Sequence, residues 1–122
     1  MYSIGTKLGV SEFFYTHVGR YIGNGQVIHN HWRNGAEIIS LEDFANGKTV
    51  KVMDQGVLSL HDFMERVKQV LCERKPYHLV SNNCEHTASY VSTGTASSPQ
   101  LAFYGGMTLL AGVYLWSRHA RA

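Results

Sequence analysis

Two cysteines and seven histidines among 122 residues are the side chains best suited to attack a carbonyl or move a proton near neutral pH. Cys84 follows Asn82 and Asn83, two good N-cap residues, so it falls in the first turn of a short helix predicted to reach Val91 and end before Gly94. Free N–H groups and the positive end of the helix dipole at such a position stabilise a thiolate, and amides beside the sulfur can hold a developing oxyanion. The same placement also describes a buried free cysteine beside a cap. His17 and His29 are the candidate partners, because a cysteine nucleophile needs a base and a polar group that orients it. Each, taken singly, also reads as a hydrogen-bonded or surface histidine, and spacing leaves both readings open.

The remaining reactive types have simpler explanations. Cys72 lies among the positions of a longer helix and reads as a small buried or half-buried residue. Its separation from Cys84 is neither a zinc spacing nor a disulfide framework. His31 reads as a strand surface residue, His61 as a surface residue at a helix start and His78 as an exposed strand residue. His86 helps structure the start of the Cys84 helix, and Glu85 suits its dipole.

The elements that must position these residues follow from punctuation and periodicity. Asn24-Gly25 is a two-residue hairpin signal, with arms over about 17–23 and 26–31. Simple pairing around that turn sets Gly23 opposite Gln26, Tyr21 opposite Ile28 and Arg20 opposite His29. His17 then lies opposite a position near Trp32, about 10 Å along the strand from His29 at roughly 3.3 Å per residue. A twist, bulge or strand shift is needed to bring the two histidines to one site. A further strand is expected over 36–40, then a short helix capped by Ser40 and ended by Asn46-Gly47, then a strand over 49–53. Leu60, Phe63, Met64, Val67, Val70 and Leu71 recur at helical spacing between Ser59 and Arg74, with Pro76 barring continuation. Residues 77–83 read as extended.

Length, 44% apolar and 16% charged content fit one compact domain with a real core. The net charge is only +2 and the basic residues are scattered, so nucleic-acid binding is not expected. The opening MYSIGTKLGV lacks the pattern of a secretory signal, which predicts cytoplasmic residence and reduced thiols. Leu101 to Trp116 carries no charge, and the uncharged stretch widens to Ala96–Ser117, followed by Arg118 and Arg121. Sixteen helical residues span about 24 Å, short of a bilayer core of roughly 30 Å. Membrane association through this C-terminal hydrophobic helix is the expectation, against packing on the domain or in a homo-oligomer interface.

The stretch from His17 to His29, HVGRYIGNGQVIH, resembles the histidine box of the lecithin:retinol acyltransferase family, which includes the HRAS-like suppressor phospholipid acyltransferases. Asn83-Cys84-Glu85-His86 resembles that family's NCEH box, and the likeness extends over about residues 5–98. The resemblance implies an α+β architecture, an antiparallel sheet with packed helices in a circularly permuted NlpC-type, papain-like fold. It implies a catalytic domain over residues 1–98 and a hydrophobic tail over 99–122. It also implies Cys84 as nucleophile, His17 as general base and His29 as the residue that orients it, in acyl transfer from a lipid ester through a thioester. No metal or organic cofactor is implied. Two other readings stay open: a cysteine peptidase or amidase built on the same constellation, and a non-catalytic interaction module.

Overall fold

The computed structural model describes residues 2–57 and 59–104. Beyond Tyr104, the expected C-terminal hydrophobic helix lies outside these residues. Among them, no helix is long and apolar enough to cross a membrane.

The fold is α+β. Its elements run β1 (Lys7–Ser11), β2 (Thr16–Gly23), β3 (Gln26–His31), β4 (Gly35–Ser40), α1 (Leu41–Ala45), β5 (Lys51–Asp54), α2 (Leu60–Glu73) and α3 (Cys84–Thr93). The five strands form one antiparallel sheet in the order β4-β3-β2-β1-β5. Residues 99–104 are also helical.

The hairpin turn forms where Asn-Gly predicts it, with Asn24 at φ 51° and Gly25 at φ 69°, the positive pair that suits the twist of the flanking strands. The register differs from simple pairing. Gly23 faces Gln26, but Tyr21 faces Val27, Arg20 faces Ile28 and Gly19 faces His29. Ile22 is an extra residue in β2, a bulge, and its side chain joins the cluster of Ile28, Phe63, Val67 and Val91. One added residue reverses which face every later side chain meets across the strands. With the bulge, His17 and His29 project from the same face; without it they would have opposed each other.

Each face of the sheet has its own cover. On one, Leu8, Val10, Tyr21 and Val27 pack with Phe44 of α1. On the other, Val18 meets Cys84 and Ala88 of α3, and Ile28 meets Phe63 and Val67 of α2 with Val91 of α3. The helix caps are as expected: Ser40 Oγ accepts from Asp43 N at 3.0 Å and Ser59 Oγ from Asp62 N at 3.2 Å. Helix α2 ends at Arg74 in the left-handed conformation, two residues before Pro76.

Two expectations are corrected. Cys72 is exposed, because it falls on the solvent side of α2 rather than on the apolar stripe. His78 is in a tight turn rather than a strand: it bridges Asn82, and its Nδ1 accepts from Val80 N and Ser81 N. Strand β1 is an addition, carried by the short alternation of Leu8 and Val10.

Candidate active site

Cys84 opens α3, and the local sequence accounts for that start. Asn83 is the N-cap; its Oδ1 accepts from Glu85 N at 3.0 Å and His86 N at 3.1 Å. His86 Nδ1 returns the bond by accepting from Asn83 N at 3.1 Å, so its role at the helix start is structural. The helix is held to the sheet by Arg20, a buried side chain on β2 whose Nε donates to Ala88 O at 3.0 Å.

The thiol is 97% shielded, since Cys84 keeps only 3% of its surface exposed. Burial pushes the Cys84 thiol up, and the Glu85 charge adds to this; N–H groups of Val18, Glu85 and Cys84 itself pull the other way without overcoming it. The resting state is therefore a neutral thiol, not the thiolate that the helix start alone leads one to expect. Tyr15 and Tyr77 lie near enough to feel it: burial, then the Cys84 charge, raise both phenols, Tyr15 to about 12.

The two histidines meet. His17 Nε2 lies 2.8 Å from His29 Nδ1, and His29 Nε2 lies 3.0 Å from Glu37 Oε1. Cross-strand register builds this chain, because Leu8, Gly19, His29 and Glu37 stand in one row across β1, β2, β3 and β4, with His17 one pleat away. Phe44 packs against both rings, at centroid distances of 5.4 Å from His17 and 6.1 Å from His29. Gly19 makes room for it: a Cβ there would lie 2.8 Å from Ile28 O and 3.0 Å from Phe44 Cε2. Burial, then the neighbouring rings of His29 and His31, lower His17 to about 3. Burial also lowers His29, against the opposing pull of Glu37.

The His17 ring packs against Phe44, while the thiol meets β2 at the amide of Val18; Tyr15, packed beside Val18 and Cys84, has its ring 6.4 Å from that of His17. The structure thus joins His17 to His29 and sets Cys84 beside the residue that follows His17. The His17 hydrogen bond goes to His29, not to the thiol.

Cys84 lines a largely apolar cavity of about 370 Å³ with Phe14, Tyr15, Tyr77, Leu79, Leu101 and Tyr104. Segment 98–104 is pinned along it: Ser98 Oγ donates to Glu85 Oε1 at 2.6 Å, and the Gln100 amide exchanges two bonds with the Thr16 backbone at 2.8 and 2.9 Å.

Sequence reasoning passes over Glu37, Tyr15 and Tyr77, and reads His31 only as a strand surface residue, whereas its ring joins those of His17 and His29. Glu37 and His31 carry a signal. Gly35 at φ 74° closes a short β3–β4 connection, and pairing outward from His31–Gly35 places Glu37 opposite His29. His31, two residues from His29, shares its face and lies 5.8 Å from both catalytic-candidate rings. Tyr15 and Tyr77 meet through tertiary packing alone.

No curated protein matches the chain. The family model for lecithin retinol acyltransferase matches residues 31–97, more than half of the sequence. The matched stretch contains the capped Cys84 helix and Glu37, and begins just after the strand residues His17 and His29. By that match the chain belongs to the lecithin retinol acyltransferase family, whose activity is of the acyltransferase or hydrolase type on lipids.

Proposed function

We propose that the protein is a thiol-dependent acyltransferase or phospholipase-like hydrolase acting on lipid esters through a thioester on Cys84. The observation that carries this is the placement of Cys84 at a capped helix start, facing an apolar cavity, beside β2, whose buried His17 is bonded to the buried His29 of β3 and through it to the half-buried Glu37 of β4. The arrangement of a helix-borne cysteine and sheet-borne histidines is read as a circularly permuted NlpC-type, papain-like fold.

In this reading the acyl chain enters the cavity and its ester carbonyl approaches Cys84. Both partners start neutral, so His17 takes the thiol proton as sulfur attacks rather than before. The C–S bond forms as the carbonyl π pair moves onto oxygen, where N–H groups near Cys84 stabilise it. Collapse expels the alcohol, which receives the proton from His17. Water or a second nucleophile then releases the acyl group, giving hydrolysis or transfer. His29 orients His17 throughout. We also place the protein at a cytoplasmic membrane surface, with the uncharged stretch from Leu101 to Trp116 as its attachment.

The test is intact-mass detection of an acyl adduct after incubation with phosphatidylcholine vesicles. An adduct is expected in Cys72→Ala and lost in Cys84→Ala. The upward-shifted thiol favours a second reading, a non-catalytic interaction module. That reading predicts no adduct from any lipid ester in the folded protein.

A further inference from the structure

A carboxylate at the end of a chain of imidazoles decides where every proton in that chain sits. Glu37 faces His29 directly across β3 and β4, with Oε1 3.0 Å from His29 Nε2 and 3.2 Å from Asn34 Nδ2. Partial burial raises the Glu37 carboxyl, but hydrogen bonds from His29 and Asn34 outweigh it and hold the group below its usual range. At neutral pH it is ionised and can only accept. His29 must therefore donate from Nε2.

Being neutral, His29 then has its lone pair on Nδ1, and that atom lies 2.8 Å from His17 Nε2. His17 must donate from Nε2, which leaves its own lone pair on Nδ1. We propose that Glu37 is a positioning residue that fixes both imidazoles as Nε2–H tautomers and so makes His17 Nδ1 the basic atom of the site. The catalytic consequence rests on the reading of Cys84 and His17 as nucleophile and base; the tautomer assignment does not.

The arrangement also suits the protonated state. When His17 Nδ1 takes the thiol proton, Nε2–H continues to donate to His29 Nδ1, and His29 Nε2–H continues to donate to Glu37. The cation is stabilised with no second proton moved. The other groups facing this chain are His31, whose ring lies 5.8 Å from both histidines, Lys48, whose charge opposes protonation of His17, and the Phe44 ring. Lys48 is itself paired with Glu12 at 2.7 Å. Glu37 is thus the carboxylate that His29 meets, on a face otherwise tuned against positive charge.

Histidine nitrogens bearing a proton and those bearing a lone pair resonate in separate ranges, so long-range ¹H–¹⁵N spectra of the full chain read the tautomers directly. Wild type at pH 7 should show Nε2–H with an unprotonated Nδ1 at both His17 and His29. A protonated Nδ1 on either neutral ring overturns the proposal without any variant. In Glu37→Gln the amide can donate or accept, so the fixed tautomers should give way to a mixture. Acylation of Cys84 should then slow about tenfold, the scale of losing a supporting hydrogen-bond partner. Unchanged tautomers in a folded Glu37→Gln also overturn it. If His17→Ala leaves Cys84 acylation untouched, the catalytic reading fails, while the wild-type spectrum still decides what Glu37 does.

Discussion

The two faces of the sheet solve different problems with the same strand. On the α2 and α3 side, Val18 and Ile28 meet Cys84, Ala88, Phe63, Val67 and Val91, an apolar layer between sheet and helices. On the other side the five-residue helix α1 contributes Phe44, and beside it runs the polar chain from the buried His17 through the buried His29 to the half-buried Glu37. Alternation along β2 sends Val18 to the first face and His17 to the second. Cys84 is therefore positioned by a helix cap and apolar packing, while His17, His29 and Glu37 are brought together by cross-strand register.

Removing Phe63, fully buried among β3, α2 and α3, should break the helical side most severely. Phe63→Ala is expected to cost about 4 kcal/mol by the scale of large-to-small core changes, read from the denaturant midpoint. Gly19→Ala attacks the opposite face: its Cβ would fall 2.7 Å from Val27 Cγ1 and 2.8 Å from a backbone oxygen. A loss of about 2 kcal/mol is expected from overpacking, with displaced ring resonances for His17 and His29. Asn83→Ala removes the cap that presents Cys84 and should cost about 1 kcal/mol, leaving the histidine resonances in place. Equal disturbance of the histidines by Asn83→Ala and Gly19→Ala would show that the faces are not separable.

The pH dependence sharpens the contrast further. The folded chain holds His17 near 3 and His29 below its usual range, whereas both would titrate near 6.5 when unfolded. The unfolded chain binds these protons first, so their contribution is present above about 6.5 and is lost as pH falls toward 3. His17→Gln should flatten this slope in urea titrations between pH 6 and 4, and Phe63→Ala should lower the whole curve without flattening it.

Much of this was legible in the residues themselves. Ser40, Ser59 and Asn83 mark three helix starts because capping is local chemistry, and Asn24-Gly25 marks its turn because few residues accept positive φ. The bulge at Ile22 was not legible: it exists because that side chain packs with Ile28 and Phe63, and the meeting of His17 with His29 depends on it. Cys84 was visible as a helix-start cysteine, but the direction of its thiol shift was not. Local amides favour the thiolate, and only tertiary burial reverses the balance. Glu37 sits between these cases, since its position opposite His29 follows from a short turn whose register the residues suggest but packing fixes.

The central claim is that His17 draws the proton from Cys84, the two sharing Tyr15 as a neighbour. The direct measurement is the rate of Cys84 acylation by a soluble activated ester at pH 7, followed by intact mass in Cys72→Ala with and without His17→Ala. The account predicts a fall of about a hundredfold or more on losing His17, the scale of general-base catalysis, with the circular dichroism spectrum unchanged. Equal rates in the two folded proteins would contradict it.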